Sequence, residues 1–276
     1  MKKKHFNKKK SFLDKFFIKL IRKFGYEVID QANLHIPSKD LGANENLSES
    51  GKQSISLPLG KTEITRKVKS LTIIIRSYTF GDVDDSKVML DQNKKRIFDL
   101  SKIEYTLRTI KSVIKSCEIA KQSFKDIDIK IIITDDKSSK ENLDKINQVL
   151  KANDLKTELI NLKENEFNDQ IKTIDTKGKD ISKNMISNMR NLFKSIEIAE
   201  TEDADLFYFL EDDYIHTKEA ITEMLFTYEK ISSQLNQELF LCPADYPYLY
   251  SSIDNSKIFF GNMRHWRSVN ETLITF

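Results

Sequence analysis

The sequence predicts an α/β domain in which a mostly parallel sheet is flanked by helices. Three short apolar runs rich in β-branched or aromatic residues, at residues 70–76, 128–134 and 205–210, are typical of strands buried on both faces. Helical periodicity occurs between them, at residues 103–121 and 182–200. A strand, a helix and a strand in this order favour a right-handed parallel crossover.

Weaker patterns predict the remaining elements of the domain. A chain of 276 residues that is 39% hydrophobic is large enough to bury one substantial core. One main domain is therefore expected. We predict further helices at residues 144–150 and 218–235, and further strands at residues 157–162, 238–242, 257–260 and 271–276.

The N-terminal segment differs from the rest of the chain in charge. Residues 1–26 contain ten Lys or Arg and one acid, Asp14, whereas the other 250 residues contain 35 basic and 41 acidic groups. Apolar residues recur at helical spacing among the lysines, so residues 1–30 are predicted to form a basic amphipathic helix. Residues 31–69, with scattered Pro and Gly, are predicted to be a linker, and residues 70–276 the domain.

The predicted N-terminal helix has two interpretations. It can lie on an anionic membrane surface with its aromatic face down, or it can dock on its own domain. Because the basic residues are on this segment and not on the domain, nucleic acid is not expected as the main ligand. Two unpaired cysteines and the lack of an 18-residue apolar run predict a cytoplasmic protein, peripheral at most to the inner face of the membrane.

Polar residues follow each of the three apolar runs. Arg76, Ser77 and Tyr78 follow the first run, residues 135–139 (DDKSS) the second, and residues 211–213 (EDD) the third. In open α/β sheets, ligands bind outside the carboxyl ends of the strands. These residues are therefore the candidates for a functional site.

Two of these groups are acidic and would repel each other at neighbouring strand ends. A cation or the donors of a ligand could compensate Asp135 and Asp136 together with Glu211, Asp212 and Asp213. Oxygen ligands without nearby His or Cys favour Mg²⁺ or Mn²⁺, held together with a phosphate ligand. A structural interpretation stays open, because Asp and Ser after a strand also form turns and cap helices. Three consecutive carboxylates are harder to explain in that way.

The order of the motifs resembles the catalytic domain of family 2 glycosyltransferases, which has the GT-A fold with a Rossmann-type sheet. The family has a Thr-Tyr-Asn-like turn, an Asp-Asp-Gly-Ser-like turn, an Arg-Asn pair and an Asp-x-Asp motif, in that order. The likeness covers residues 71–214. The corresponding segments here are Ser77-Tyr78, residues 131–139 (IIITDDKSS), residues 188–192 (NMRNL) and residues 207–214 (FYFLEDDY).

Four positions depart from the family pattern. Arg76 replaces Pro, Thr79 replaces Asn, Lys137 replaces Gly, and Glu211 replaces the first Asp of the metal motif. The change to Glu211 keeps the charge but lengthens the side chain.

The resemblance implies a role for each matching residue. It implies that Ser77, Tyr78 and Asp136 bind the nucleotide of a nucleotide-diphosphate-sugar donor, with Asp135 assisting. It also implies that Arg190 and Asn191 line the donor pocket, and that Asp213 holds Mn²⁺ or Mg²⁺ with Glu211 or Asp212 assisting. These implied contacts involve Ser77, Tyr78, Asp135, Asp136, Arg190, Asn191, Glu211, Asp212 and Asp213.

The implied reaction is transfer of a sugar to a hydroxyl of a glycan or lipid-linked acceptor, with inversion. A metal ion would neutralise the departing nucleoside diphosphate while a carboxylate base removes the acceptor proton. Asp245 is the candidate base, although an Asp two residues before Pro247 is also typical of a turn. Since the chain ends inside a predicted strand, both a short domain and a C-terminally incomplete one are open.

Two other functions are compatible with the same residues. A metal-dependent nucleotidyl- or phosphotransferase would also need carboxylates at strand ends. A catalytically inactive binding module, recruited to membranes by the basic helix, is the third hypothesis.

Overall fold

The computed structural model describes residues 12–26, 63–79, 100–174, 178, 180–244 and 257–269. The chain divides into two compact units, Met1–Lys61 and Thr62–Phe276. In the first unit, helix α1 (Phe12–Lys23) exposes the aromatic side chains of Phe16 and Phe17, and Phe24, which follows the helix, is exposed as well. Among the helices described, none is both long enough and apolar enough to cross a membrane.

The second unit contains a four-stranded parallel sheet, which confirms the predicted α/β class. The strands are β1 (Ser70–Ser77), β2 (Asp128–Asp135), β3 (Lys156–Asn161) and β4 (Leu206–Glu211). Their order in the sheet is β3-β2-β1-β4, and all three neighbouring pairs are parallel. The order begins like that of dinucleotide-binding Rossmann sheets, so the fold is compatible with a Rossmann-like architecture.

Helices cover both faces of this sheet. Ile73 and Ile75 of β1 belong to the larger core with residues of α2 (Lys102–Ser123), α3 (Lys140–Lys151) and α5 (Ala220–Leu235). Ile74, between them, faces the opposite side, where α4 (Lys183–Thr201) contributes Ile198. Since successive side chains of a strand point to opposite faces, a strand covered on both faces needs a continuous apolar run. This requirement explains the sequences of β1 and β2.

The predicted strand at residues 238–242 is wrong. This segment pairs with no strand among the residues described, although its side chains alternate as in a strand. Leu239 and Leu241 pack against the larger core, whereas Phe240 is fully exposed. Packing of every second side chain against the core therefore accounts for the strand-like sequence pattern, and it does not require backbone pairing with another strand.

The C-terminal strands differ from the expectation in another way. The predicted strand at residues 257–260 is present as β5 (Ile258–Phe260), but it lies outside the main sheet. It pairs antiparallel with β6 (His265–Arg267), which was not predicted. The predicted strand at residues 271–276 lies outside the described residues.

Residues immediately before β1 are hydrogen-bonded to α5. The backbone N–H of Val68 donates to Glu229 Oε1 at 2.8 Å, and those of Thr65 and Arg66 donate to Ser233 Oγ at 3.1 Å. The segment that leads into the first strand is thereby attached to the domain.

A buried carboxylate holds the β5–β6 hairpin against α5. Glu223 of α5 is 6% exposed and accepts hydrogen bonds from the backbone N–H groups of Asn262, Met263 and Arg264. The indole Nε1–H of Trp266 donates to Glu223 Oε1 at 3.0 Å. The buried carboxylate accepts a hydrogen bond from each of these groups, so it satisfies the N–H groups of the turn and fixes the position of the turn.

Replacing Gly261→Ala is expected to detach the hairpin. A Cβ at this position would lie 2.7 Å from Thr227 Oγ1 and 2.8 Å from Trp266 Nε1, and it would overlap Glu223 Oε1. Glu223 cannot move aside without losing its hydrogen bonds, so we expect a loss of about 1–3 kcal/mol in unfolding free energy. Trp266 is the only tryptophan, and its fluorescence should report the change.

Met263→Ala is the matched control for this experiment. The side chain of Met263 is 57% exposed, and only its backbone bonds to Glu223. A Gly261→Ala protein with the fluorescence and stability of the Met263→Ala protein would show that Glu223 does not anchor the turn.

Candidate functional site at the carboxyl edge of the sheet

The strand order places a topological switch point between β1 and β4. From β1 the chain proceeds to β2 and β3 on one side, whereas β4 lies on the other side of β1. Open α/β sheets bind ligands in the crevice at such a point, outside the carboxyl ends of the strands. Here Arg76 at the end of β1 is in register with Glu211 at the end of β4.

Asp212 is held at this switch point by two segments, the start of α2 and the residue after β1. Its Oδ1 lies 2.5 Å from Lys102 Nζ at the first position of α2. Its Oδ2 accepts hydrogen bonds from Thr106 Oγ1 at 2.7 Å and from the backbone N–H of Tyr78 at 3.4 Å. Asp212 is 6% exposed. Both its oxygens are thus engaged within the protein.

Arg76 joins β1 to β4 and to α4. Its Nη2 donates to Glu211 Oε1 at 3.1 Å and its Nη1 to Asn188 Oδ1 at 3.1 Å. Burial lowers the pKa of Arg76, although the carboxylates of Glu211 and Asp212 oppose that shift. Burial likewise raises the pKa of Glu211 against the opposing effect of Arg76. Desolvation therefore dominates the electrostatics of this pair.

The chain's own cations provide the compensation that the sequence predicts from a cation or from the donors of a ligand. Lys102 Nζ lies 2.5 Å from Asp212 and 3.6 Å from Asp213 Oδ2, and Arg76 pairs with Glu211. Arg76 and Lys102 thus place two positive charges next to the three consecutive carboxylates. Repulsion among these carboxylates therefore does not by itself require a metal ion.

The exposed part of this edge still has carboxylate oxygens of the kind that bind a hard divalent ion. Among the described residues, no group of three or more His, Cys, Asp or Glu could hold a metal. Mg²⁺ bound together with substrate phosphates needs only one or two protein carboxylates. Asp213, which is exposed, and Glu211, which is half-buried, fit that requirement. Asp212 does not fit it, because its oxygens are already bonded.

The DDKSS segment after β2 forms a tight turn. Asp135 accepts hydrogen bonds from Ser138 Oγ at 2.6 Å and from the Ser138 backbone N–H at 3.0 Å. Burial raises the pKa of Asp135 despite these donors. Lys137 has φ of 70°, in the left-handed region that favours glycine, and Ser139 caps α3 by accepting from Asn142 N. Turn formation and helix capping, the structural roles left open by the sequence, are both present.

Asp136 and Arg190 form a buried ion pair. The two carboxylate oxygens of Asp136 lie 2.9 and 3.1 Å from Arg190 Nη1, and both side chains are only 2% exposed. Arg190 also donates from Nε to the Glu166 carbonyl at 2.8 Å and from Nη2 to the Lys163 carbonyl at 2.6 Å. The pair thereby connects the turn after β2, helix α4 and the segment after β3.

The other candidates occupy supporting positions. Ser77 is buried, and its carbonyl accepts a hydrogen bond from Asn191 Nδ2 at 3.1 Å. The hydroxyl of Tyr78 donates to Asn184 Oδ1 at 2.9 Å. Asp245, the candidate base, lies outside the described residues.

Sequence reasoning missed four polar residues of this edge. Lys102 and Thr106 are one helical turn apart on α2, and Asn184 and Asn188 have the same spacing on α4. The signal was available for α2, because a lysine and a threonine at i and i+4 at the start of a helix lie on one face. Which sheet edge that face meets was decided by the packing of the helix.

The sheet and its polar edge define an α/β protein compatible with a Rossmann-like fold. Comparison with protein-family models, with curated proteins and with solved structures finds no match to the chain. The assignment of function therefore rests on the residues of the site.

Replacing Asp136→Asn is expected to destabilise the protein strongly. The variant leaves the guanidinium of Arg190 buried without a counter-charge, which costs about 3–5 kcal/mol of unfolding free energy. Urea denaturation followed by circular dichroism measures this loss. Asp128→Asn is the control, because Asp128 pairs with Lys156 on the surface, where such pairs contribute about 1 kcal/mol or less. Equal losses in the two variants would contradict a structural role for the buried pair.

Proposed function

We propose that this protein is a nucleotide-sugar-dependent glycosyltransferase whose donor binds at the switch point between β1 and β4. The observation that supports it best is that the end of β1 meets the acidic residues at the end of β4 in this crevice: Arg76 is in register with Glu211, and the Tyr78 backbone N–H donates to Asp212. The same residues carry the resemblance to family 2 glycosyltransferases. Lys137 adds support, since it adopts a glycine-like conformation where that family has Gly.

In this proposal the residues of the edge have two kinds of role. Tyr78 and the exposed side of the turn at residues 137–139 contact the nucleotide. Asp136 and Arg190 act indirectly, because their buried ion pair fixes the turn and the segment after β3. Asn191 likewise fixes the end of β1, because its side-chain amide donates a hydrogen bond to the Ser77 carbonyl. The buried pair thus has a positioning role and does not contact the donor.

Asp213, assisted by Glu211, would hold Mn²⁺ or Mg²⁺ next to the diphosphate. The bound ion would supply neutralisation of the charge that develops on the departing nucleoside diphosphate. Arg76 keeps Glu211 at the edge through its 3.1 Å contact, and Asn188 fixes the other side of the guanidinium. Asp245 remains the proposed base, which would accept the proton of the attacking acceptor hydroxyl.

A screen of nucleotide diphosphate sugars by thermal shift with Mn²⁺ tests the donor class. A donor that binds only the folded protein raises the melting temperature by mass action. Product analysis then separates the hypotheses: transfer of sugar supports the proposal, and transfer of a nucleotidyl or phosphoryl group supports the other enzyme class. Binding without turnover would indicate an inactive binding module.

Replacing Asp213→Asn is expected to preserve the fold and to reduce transfer about a thousandfold or more. The substitution is nearly isosteric and the side chain is 33% exposed, but it removes a ligand of the ion that stabilises the leaving group. Metal-dependent transfer is measured, with folding checked by circular dichroism.

Asp126→Asn, an exposed residue before β2 at the opposite edge of the sheet, is the matched control and should retain full activity. Wild-type, metal-dependent transfer by a folded Asp213→Asn protein would exclude the proposed metal position.

We also propose that the N-terminal segment binds anionic membrane surfaces, where a lipid-linked acceptor would be found. Deleting residues 1–24 removes ten basic residues and the exposed Phe16, Phe17 and Phe24. Binding to vesicles containing phosphatidylserine should fall at least about tenfold, because both the charge and the apolar attraction are lost. Nucleotide affinity should not change.

A full-length Phe16→Ala/Phe17→Ala variant retains the charge and should lose only part of the vesicle binding. If truncation leaves vesicle binding unchanged but lowers the melting temperature of the domain, the helix docks on the protein and not on the membrane.

A further inference from the structure

Four polar side-chain atoms between the sheet and α4 have no hydrogen-bond partner among the residues that the structure describes. They are Arg76 Nε of β1, Thr134 Oγ1 of β2, and Ser187 Oγ and Asn191 Oδ1 of α4. All four residues are buried, with at most 6% exposure. Buried polar groups nearly always have a partner, either in the protein or in ordered water, so four such atoms in one region require an explanation.

The two atoms of the sheet lie on the face that α4 covers. Arg76 and Thr134 are register partners on β1 and β2. Each follows by two residues an isoleucine, Ile74 or Ile132, that packs in a core cluster with Ile198 of α4. Because residues two apart on a strand share a face, Arg76 and Thr134 also face α4.

Two hydrogen bonds bring the atoms of α4 to the same place. Arg76 Nη1 donates to Asn188 Oδ1, and Asn191 Nδ2 donates to the Ser77 carbonyl, each at 3.1 Å. Ser187 is adjacent to Asn188 in the chain and one helical turn before Asn191, on the same face of the helix. The bond from Asn191 Nδ2 also fixes the orientation of its amide, which leaves Oδ1 as the unpartnered atom.

The hydrogen-bonding chemistry of the four atoms matches that of a water molecule. Arg76 Nε only donates and Asn191 Oδ1 only accepts, whereas the hydroxyls of Ser187 and Thr134 can do either. A cation would leave the donor unpaired, and an anion would leave the amide oxygen unpaired. Water donates two hydrogen bonds and accepts two, and buried waters typically bond to two to four such groups.

We propose that a water molecule is bound between β1, β2 and α4, where it forms hydrogen bonds with these four atoms. This water completes the hydrogen bonding of the Arg76 guanidinium, whose other two nitrogens contact Asn188 and Glu211. It thereby connects both strands to the N-terminal half of α4. The water belongs to the fold, and it is bound whether or not the protein is a glycosyltransferase.

The first test is a crystal structure of the unaltered protein at a resolution that shows ordered water. A water should lie about 2.7–3.2 Å from at least three of the four atoms. A water with fewer of these contacts, no water at this position, or direct hydrogen bonds among the four atoms would overturn the proposal.

The second test is the stability of Thr134→Val and of Ser187→Ala. Each substitution removes one partner of the water, so the folding equilibrium constant should fall about five- to tenfold, as for one lost hydrogen bond. A hydroxyl that has no partner predicts the opposite sign, because removing a buried unpaired polar group stabilises a protein. Urea denaturation followed by circular dichroism measures the sign. An unchanged or higher constant in either variant would overturn the proposal.

Ser195→Ala is the matched control for Ser187→Ala. Ser195 is also a buried serine of α4, but its hydroxyl already donates to the Asn191 carbonyl at 2.8 Å. The control should therefore lose less stability, and equal losses in the two serine variants would contradict a bond from Ser187 to water.

The Thr134→Val/Ser187→Ala double variant tests whether the two hydroxyls share one ligand. Both substitutions remove partners of the same water, so the combined loss should be smaller than the two single losses added together. Additive losses would show that the hydroxyls act independently and would reject the shared water.

Discussion

Charge compensation at the carboxyl edge of the parallel sheet is the constraint on which the rest of this domain depends. Parallel strands bring all their carboxyl ends to one edge, and in this chain the ends of β2 and β4 carry acidic residues. Arg76, Lys102 and Arg190 each pair with at least one of these carboxylates, and each comes from a different element. The three pairs therefore connect β1, α2 and α4 to the ends of β2 and β4. The hydrophobic core fixes where the helices pack, and the ion pairs fix how the edge is arranged.

Burying these pairs has an energetic consequence for the site. Desolvation offsets much of the attraction within a buried pair, whereas removal of one partner leaves an uncompensated charge. Such pairs add little to net stability, but breaking one of them is strongly destabilising. The Asp136–Arg190 pair is the clearest case, because two backbone carbonyls of the segment after β3 complete the hydrogen bonding of the guanidinium. Glu223 acts on the C-terminal hairpin by the same principle, with backbone N–H groups as its partners.

The polar residues of this edge fall into two groups. Some are bonded within the protein and fix the arrangement of the edge, and others are accessible to a ligand. Asp135, Asp136 and Asp212 are buried and bonded within the protein, whereas Asp213 is exposed and Glu211 partly so. A ligand at the switch point would meet the second group, supported by the first. Such a division suits phosphate and metal chemistry, in which positioned charges contribute through a geometry fixed before the ligand binds.

The sequence by itself determined the class of fold and the location of the polar edge. Short apolar runs rich in β-branched residues are typical of strands covered on both faces, so β1 and β2 were predictable from local pattern alone, as were the polar residues that follow them. The sequence did not determine which segments pair as strands. Residues 238–242 have the alternation of a strand but pair with no strand in the part of the chain that the structure describes, and β6 lacked any pattern strong enough to predict it. The roles of the charged residues were likewise decided by tertiary structure. Asp136 and Arg190 are 54 residues apart in the chain, and Lys102 and Asp212 are 110 residues apart. Whether a carboxylate faces a ligand or a buried cation depends on which side chains the packing of helices against the sheet brings within about 4 Å, and local sequence does not contain that information.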